Sequence, residues 1–253
     1  MIKRELELFF TALMFFTRIP CPKVPYSQEH LDASSRYYPV IGWIVGMFAA
    51  VVFYKAHLAL PVSVSIILSM ITTIFLTGAF HEDGFGDTCD GFGGGWSKEQ
   101  VLAIMKDSRI GAYGTIGLIM ILLTKFVLLS EINTRYLPLV LIAAHSVSRA
   151  VSSLFLYTHD YVQDIDQSKV RPMAKKLTLK NLLIVLGFGI APLFLFNNFY
   201  VFALLAPVVA AEMLLAQYFA GRIGGYTGDC LGALQQVCEV IFYLGFIVLW
   251  KFI

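Results

Sequence analysis

The feature that most constrains this chain is the recurrence of apolar stretches about as long as a bilayer is thick. They run at about 38–60, 62–80, 112–132, 137–157, 181–196, 198–220 and 232–253. A helix needs roughly 20 such residues to cross the hydrocarbon core. In lipid, only helices and closed barrels satisfy their own backbone. Composition agrees: 58% of residues are hydrophobic, 14% are charged and mean hydropathy is +0.73, against roughly 45–50% and about 25% in a soluble domain. One soluble core could not hide that much apolar surface. The expectation is an all-α, polytopic integral membrane protein with about seven transmembrane helices, forming a single domain over 1–253. A soluble enzyme, a disordered chain and a disulfide scaffold are excluded. The net charge of +2 asks for no nucleic acid. Cys21, Cys89, Cys230 and Cys238 lack zinc-site spacing. The first twenty residues lack the pattern of a signal peptide.

Cations set the orientation. The N-terminal segment holds Lys3, Arg4, Arg18, Lys23 and Arg36. The polar connections 81–111, 158–180 and 221–231 hold Lys98, Lys106 and Arg109, then Lys169, Arg171, Lys175, Lys176 and Lys180, then Arg222. Those are most of the 19 Lys and Arg. The N-terminus and all three connections are therefore expected in the cytoplasm, and the C-terminus outside. Segment 1–37 reads as an interfacial helix with Phe9, Phe10, Leu13, Phe16 and Thr17 on the bilayer surface, then a loop broken by Pro20, Pro22 and Pro25. An extra, weakly apolar span is the alternative. Pro192 is expected to kink the short fifth span. The absence of internal repeats argues against an inverted-repeat transporter.

Chemistry concentrates after the second span, in His81-Glu82-Asp83-Gly84-Phe85-Gly86-Asp87-Thr88-Cys89-Asp90-Gly91. Asp83, Asp87 and Asp90, at i, i+4 and i+7, share one face of a helix. Three converging carboxylates need a cation, and hard oxygen ligands suit Mg²⁺ beside substrate phosphates. Glu82 is a further oxygen donor. A solvated acidic loop is the plain alternative. The glycines at 91–95 would admit a ligand close to the backbone or serve as a linker. Lys106 and Arg109 either hold phosphate oxygens or anchor a span, with Asp107 as a metal ligand or as the group orienting Arg109.

Inside the fourth span, His145, Ser148 and Arg149 recur at helical spacing, and ionisable residues there are functional candidates. His145 would equally serve as a packing residue. The loop Gly224-Gly225-Tyr226-Thr227-Gly228-Asp229 has the make-up of an anion site at a helix N-terminus, with Gly225, Thr227 and Gly228 as contacts. Asp229 would ligate metal or cap that helix. Gly232, Gln235, Gln236 and Glu239 carry a polar stripe into the last span. It reads as a cavity lining or as helix–helix hydrogen bonding. The Lys169–Lys180 run would clasp an anion or simply face lipid headgroups.

Several motifs together make the chain similar to the cobalamin-5′-phosphate synthases. These are Phe16-Thr17-Arg18-Ile19-Pro20, Pro39-Val40-Ile41-Gly42, the 81–91 segment, Met105-Lys106-Asp107-Ser108-Arg109-Ile110-Gly111, and Gly225-Tyr226-Thr227-Gly228-Asp229 with Leu231-Gly232-Ala233. The family often has Leu-Asp-Gly-Leu-Ala where this chain has Glu82-Asp83-Gly84-Phe85-Gly86. The resemblance implies a multi-pass enzyme of the bacterial cytoplasmic (inner) membrane, Mg²⁺-dependent, with its active site at the cytoplasmic face. Its implied substrates are adenosylcobinamide-GDP and α-ribazole or its 5′-phosphate, and it releases GMP. The bilayer is an implied partner, as is a homo-oligomer or a complex with other corrinoid enzymes. On this view Asp83, Asp87 and Asp90 hold metal, and Asp87 or Asp107 takes the ribose hydroxyl proton. Arg109 and Arg149 bind the diphosphate, and the Gly224–Asp229 loop takes a second phosphate. CDP-alcohol phosphotransferases and cation-coupled transporters are the competitors. The chain lacks the Asp-Gly-x-x-Ala-Arg order of the first, and its acids cluster at one membrane face rather than at the midplane expected of the second.

Overall fold

The computed structural model describes residues 2–24, 27–162 and 177–252. Eleven α-helices are assigned among them: α1 Ile2–Phe16, α2 Gln28–Ser34, α3 Tyr38–His57, α4 Val62–Thr77, α5 Phe80–Gly94, α6 Lys98–Lys106, α7 Ala112–Glu131, α8 Leu137–Thr158, α9 Leu179–Ile190, α10 Leu205–Ile223 and α11 Gly228–Leu249. Six helical stretches are long and apolar enough to cross a membrane alone. The second expected span, α4, qualifies only together with α5, to which it is bent by 87°. The expected kink at Pro192 is a change of helix type, α9 passing into a 3₁₀ segment at Ala191–Phe196. Pro25, Lys169, Arg171, Lys175 and Lys176 lie outside the described residues.

Helix α8 sits at the centre, 83% of its apolar window buried. It is rich in small residues (Ala143, Ala144, Ser146, Ser148, Ala150, Ser152, Ser153), all buried. With no hydrophobic drive between helices in lipid, close approach of backbones through small residues is what holds them together. Gly42 and Gly46, one turn apart on α3, supply it. A Cβ on Gly46 would lie 2.6 Å from the Ile142 Cα, and one on Gly42 would run into the His145 carbonyl. Trp43 straps the contact from the side, its indole N–H donating to the Ser146 hydroxyl (2.8 Å) and the Phe188 carbonyl (3.0 Å).

The segment 81–111, expected as a polar connection, is two helices. Glycine-rich α5 is a poor helix by propensity, but its glycines let neighbours in. A Cβ on Gly84 would lie 3.0 Å from the Asp229 Cα on α11, and one on Gly91 would overlap Met105 on α6. Gly91, Gly94 and Gly95 therefore lie against α6 and Gly93 against Tyr113 of α7, and Gly91–Gly94 lie within α5 rather than in a linker. The corner before α5 is made by Gly78 (φ 67°) and Ala79 (φ 59°), both left-handed. Ala79 holds that conformation at roughly 1–2 kcal/mol.

The Thr17–Pro20 motif sits on this corner. The Arg18 N–H donates to the Leu76 carbonyl (2.8 Å), which the bend leaves without its helical partner, and the Arg18 guanidinium packs beside Gly78. Leu13, Phe16 and Thr17, expected on the bilayer surface, are instead buried in the protein. Phe16 stacks on Tyr38 at 4.2 Å between centroids, because α1 covers the N-terminal end of α3 and the start of α5.

Gly42→Ile should lower stability in detergent by about 1–3 kcal/mol, the usual cost of overpacking. Gly187→Ile, where an added Cβ meets nothing within 4 Å, should leave the thermal midpoint nearly unchanged; equal shifts in the two would contradict the α3–α8 contact.

Candidate active site

The acidic residues of α5 divide by face. Asp83 is exposed and Asp87 half-buried on the outward face. Asp90 shares their helical register, but its carboxylate is turned onto the start of α7. One oxygen accepts from the Gly111 N–H (2.7 Å) and the other from the Gly114 N–H (2.8 Å). A carboxylate is favourable there because a helix N-terminus carries unpaired N–H groups and positive potential. The expected convergence of Asp90 with Asp83 and Asp87 on one cation is thus corrected: Asp90 caps α7. Glu82 points to the other side, into the helix bundle, and accepts from Gln236 Nε2 at 3.1 Å. It does not face outward with Asp83 and Asp87.

Asp229 joins the outward pair from the first turn of α11. Gly84 has no side chain, so the Asp229 backbone lies directly against α5 between the turns that carry Asp83 and Asp87. Among the described residues, no three His, Cys, Asp or Glu side chains converge tightly enough to hold a metal ion by themselves. The donor chemistry still suits magnesium, which is commonly bound by one or two carboxylates plus substrate phosphates.

Past α6, Asp107 clasps Arg109. The guanidinium donates to both carboxylate oxygens, with Nη2 to Oδ2 at 2.6 Å, and the Arg109 N–H adds a bond at 3.0 Å. This pairing raises the Arg109 pKa above its ordinary value. Lys106, the last residue of α6, is half-buried nearby.

The glycine-rich loop before α11 is less open than expected. The Gly224 N–H donates to Ala220, and the Tyr226 N–H donates to the Asp160 carbonyl at 3.1 Å. Val162 returns a bond to Tyr226. Gly225 is buried because a Cβ there would overlap Asp160. The Thr227 hydroxyl caps α11, accepting from the Cys230 N–H at 3.3 Å. Gly225 and Thr227 are therefore structural, whereas Gly224 and Gly228 stay exposed and Asp229 is half-buried. Burial pushes the Tyr226 phenol well above its usual range.

Inside the membrane the polar stripe of α11 meets a network that the sequence showed only in part. Glu239 is its hub: one oxygen pairs with Lys125 Nζ (3.0 Å) and accepts from the Tyr243 hydroxyl (2.9 Å). The other accepts from Gln235 (2.6 Å) and lies 3.3 Å from His145 Nδ1. Arg149 donates to the His145 carbonyl at 2.9 Å and lies 5.7 Å over the Tyr38 ring. Tyr38 bonds His81 in turn at 2.9 Å. Arg149 is 1% exposed, whereas the Arg109 side chain is 88% exposed, so the two arginines expected to share the diphosphate lie in very different surroundings. Lys125, Tyr243, Tyr38 and His81 received no role from the sequence. A lysine in an apolar span was the available signal.

The cobalamin-5-phosphate synthase family model matches residues 8–247. Among curated relatives, the adenosylcobinamide-GDP ribazoletransferase of Shewanella amazonensis is 46% identical, covering 98% of each chain. That of Shewanella oneidensis is 44% identical over 97% of this chain and 95% of its own. The Shewanella frigidimarina protein of the same name is 45% identical over 95% and 94%. No solved structure matches.

Lys125→Met strands a buried carboxylate and should cost about 3–5 kcal/mol. The Lys125→Met/Glu239→Gln double variant should recover much of that loss in thermal unfolding. A double variant as unstable as the sum of the two singles would refute the pairing.

Proposed function

The chain belongs to the cobalamin-5-phosphate synthase family, and on that footing we propose that it transfers the adenosylcobinamide phosphoryl group from adenosylcobinamide-GDP to α-ribazole or its 5′-phosphate. The ribazole hydroxyl oxygen attacks the phosphorus on the cobinamide side. The bond from that phosphorus to the bridging diphosphate oxygen breaks, and GMP leaves with the electron pair. The carrying observation is the outward carboxylate rim, Asp83 and Asp87 on α5 with Asp229 packed against them from α11. The relatives' names supply the substrates.

Asp87 is the general base in this reading, because Asp107 is already committed to Arg109. Arg109, held by Asp107, reaches from an exposed position for a phosphoryl oxygen, with Lys106 beside it. The N–H groups at the start of α11, around Gly228, face a second phosphate. Asp83, Asp87 and Asp229 would hold Mg²⁺, which when bound neutralises charge on the phosphoryl oxygens. The positive-inside distribution supports placing this rim on the cytoplasmic side of a bacterial inner membrane.

In liposomes with both substrates, GMP release should match corrinoid product and stop on chelation of divalent cations. Asp87→Ala should reduce turnover by roughly 10³-fold or more, since it removes both a ligand and the base. Wild-type-like turnover in that variant would refute the rim as the reacting site.

A further inference from the structure

Helix α5 runs antiparallel to α7, and close approaches along it record the register. A Cβ on Gly86 would lie 3.2 Å from the Leu118 side chain, and one on Gly117 2.6 Å from the Cys89 sulfur. Asp90 bonds the Gly114 N–H, and a Cβ on Gly93 would lie 2.6 Å from the Tyr113 ring. Each step along α5 therefore climbs towards the first residues of α7. That helix has only 17% of its apolar window buried, and Ile116, Ile119, Met120 and Leu123 are exposed along it, facing acyl chains. Its 20 residues rise about 30 Å, the thickness of the hydrocarbon core. The start of α7, at Ala112, thus marks the headgroup level.

The turn between α5 and α6 lies at that level, just past Tyr113, and its backbone is firmly held. Arg222 Nη2 donates to the Gly95 carbonyl at 2.7 Å. The Gln100 side-chain oxygen accepts from the N–H groups of Trp96 (2.9 Å) and Ser97 (3.2 Å), while the Ser97 hydroxyl caps α6. On this turn Trp96 is 90% exposed, the most exposed large apolar side chain among the described residues. Tyr113 of α7 and Tyr218 of α10, both exposed, stand at the same end of α5: Tyr113 meets Gly93, and the Tyr218 ring lies 5.4 Å from that of Phe92.

We propose that Trp96 is seated in the headgroup layer of the leaflet on the rim's side, with phospholipid covering the α5–α6 turn. A flat apolar ring with a single N–H suits that boundary, where one side is apolar and the other wet. The surface is continuous with the lipid-facing side of α7 through Tyr113 and the exposed Ile110. Asp87 lies about 13 Å back along the α5 axis, at 1.5 Å per residue, so the indole stands beyond the carboxylates rather than over them. Helix α5 is then pinned at both ends, by the Gly78–Ala79 corner and by the bilayer surface. None of this depends on the transfer reaction.

The test compares wild type with Trp96→Phe, full-length, in nanodiscs of phosphatidylcholine and phosphatidylglycerol. Trp43 and Trp250 are common to both proteins, so the difference in fluorescence reports Trp96. Lipids carrying a nitroxide at the headgroup or near the chain end are used as quenchers, with iodide in the aqueous phase. The Trp96 component should be blue-shifted, lose most of its intensity to the headgroup nitroxide and less to the chain-end one, and resist iodide. A red-shifted component quenched by iodide but not by either lipid would overturn the proposal, leaving the indole in water and open to a soluble ligand. A component shielded from all three quenchers would also overturn it, placing protein, such as a second copy of this chain, on the turn.

Discussion

A single buried carboxylate organises this protein. Glu239 lies half-way along α11, in a segment whose surroundings are apolar, and an isolated charge there would be prohibitively costly. It persists because Lys125, Tyr243, Gln235 and His145 converge on its two oxygens from α7, α8 and α11 itself. Meeting that demand fixes the rotation of three spans about their axes. Gln235 and Gln236 then pass the constraint to Glu82, and so to the inner face of α5.

The outer face of α5 follows from the inner one. With Glu82 held inward, helical register turns Asp83 and Asp87 outward, and Gly84 lets the start of α11 bring Asp229 against them. Asp90 ties the far end of the same helix to α7. The left-handed corner at Gly78 and Ala79, braced by Arg18, lets α5 leave the line of α4. An acidic, solvent-facing rim thus stands directly on a charged network buried in the membrane.

Much of this was legible in the sequence, for physical reasons. Six of the seven expected spans followed from apolar length, because lipid forbids most alternatives to a helix, while the second, α4, is long enough only together with α5. The rim was legible in part: spacing placed Asp83 and Asp87 on one face, and Asp107 beside Arg109. Spacing could not say what stands opposite a residue. Asp90 meets the N–H groups of α7, Thr227 caps its own helix, and Arg149 is enclosed near Tyr38; each depends on a partner distant in sequence. Leu13, Phe16 and Thr17 near the N-terminus were misplaced for the same reason, since an amphipathic helix looks alike whether it covers lipid or protein. Lys125 carried a signal but no indication of its partner, which lies 114 positions along the chain in α11.

The network around Glu239 holds α5 against α11 and thereby places the rim. Spin labels at the exposed positions 94 and 228, in a background without the four native cysteines, would report the separation of these helices in lipid by pulsed dipolar spectroscopy. The parent protein should give one narrow distance distribution, and Glu239→Ala a broadened or shifted one. A distribution unchanged by Glu239→Ala would contradict that role of the network.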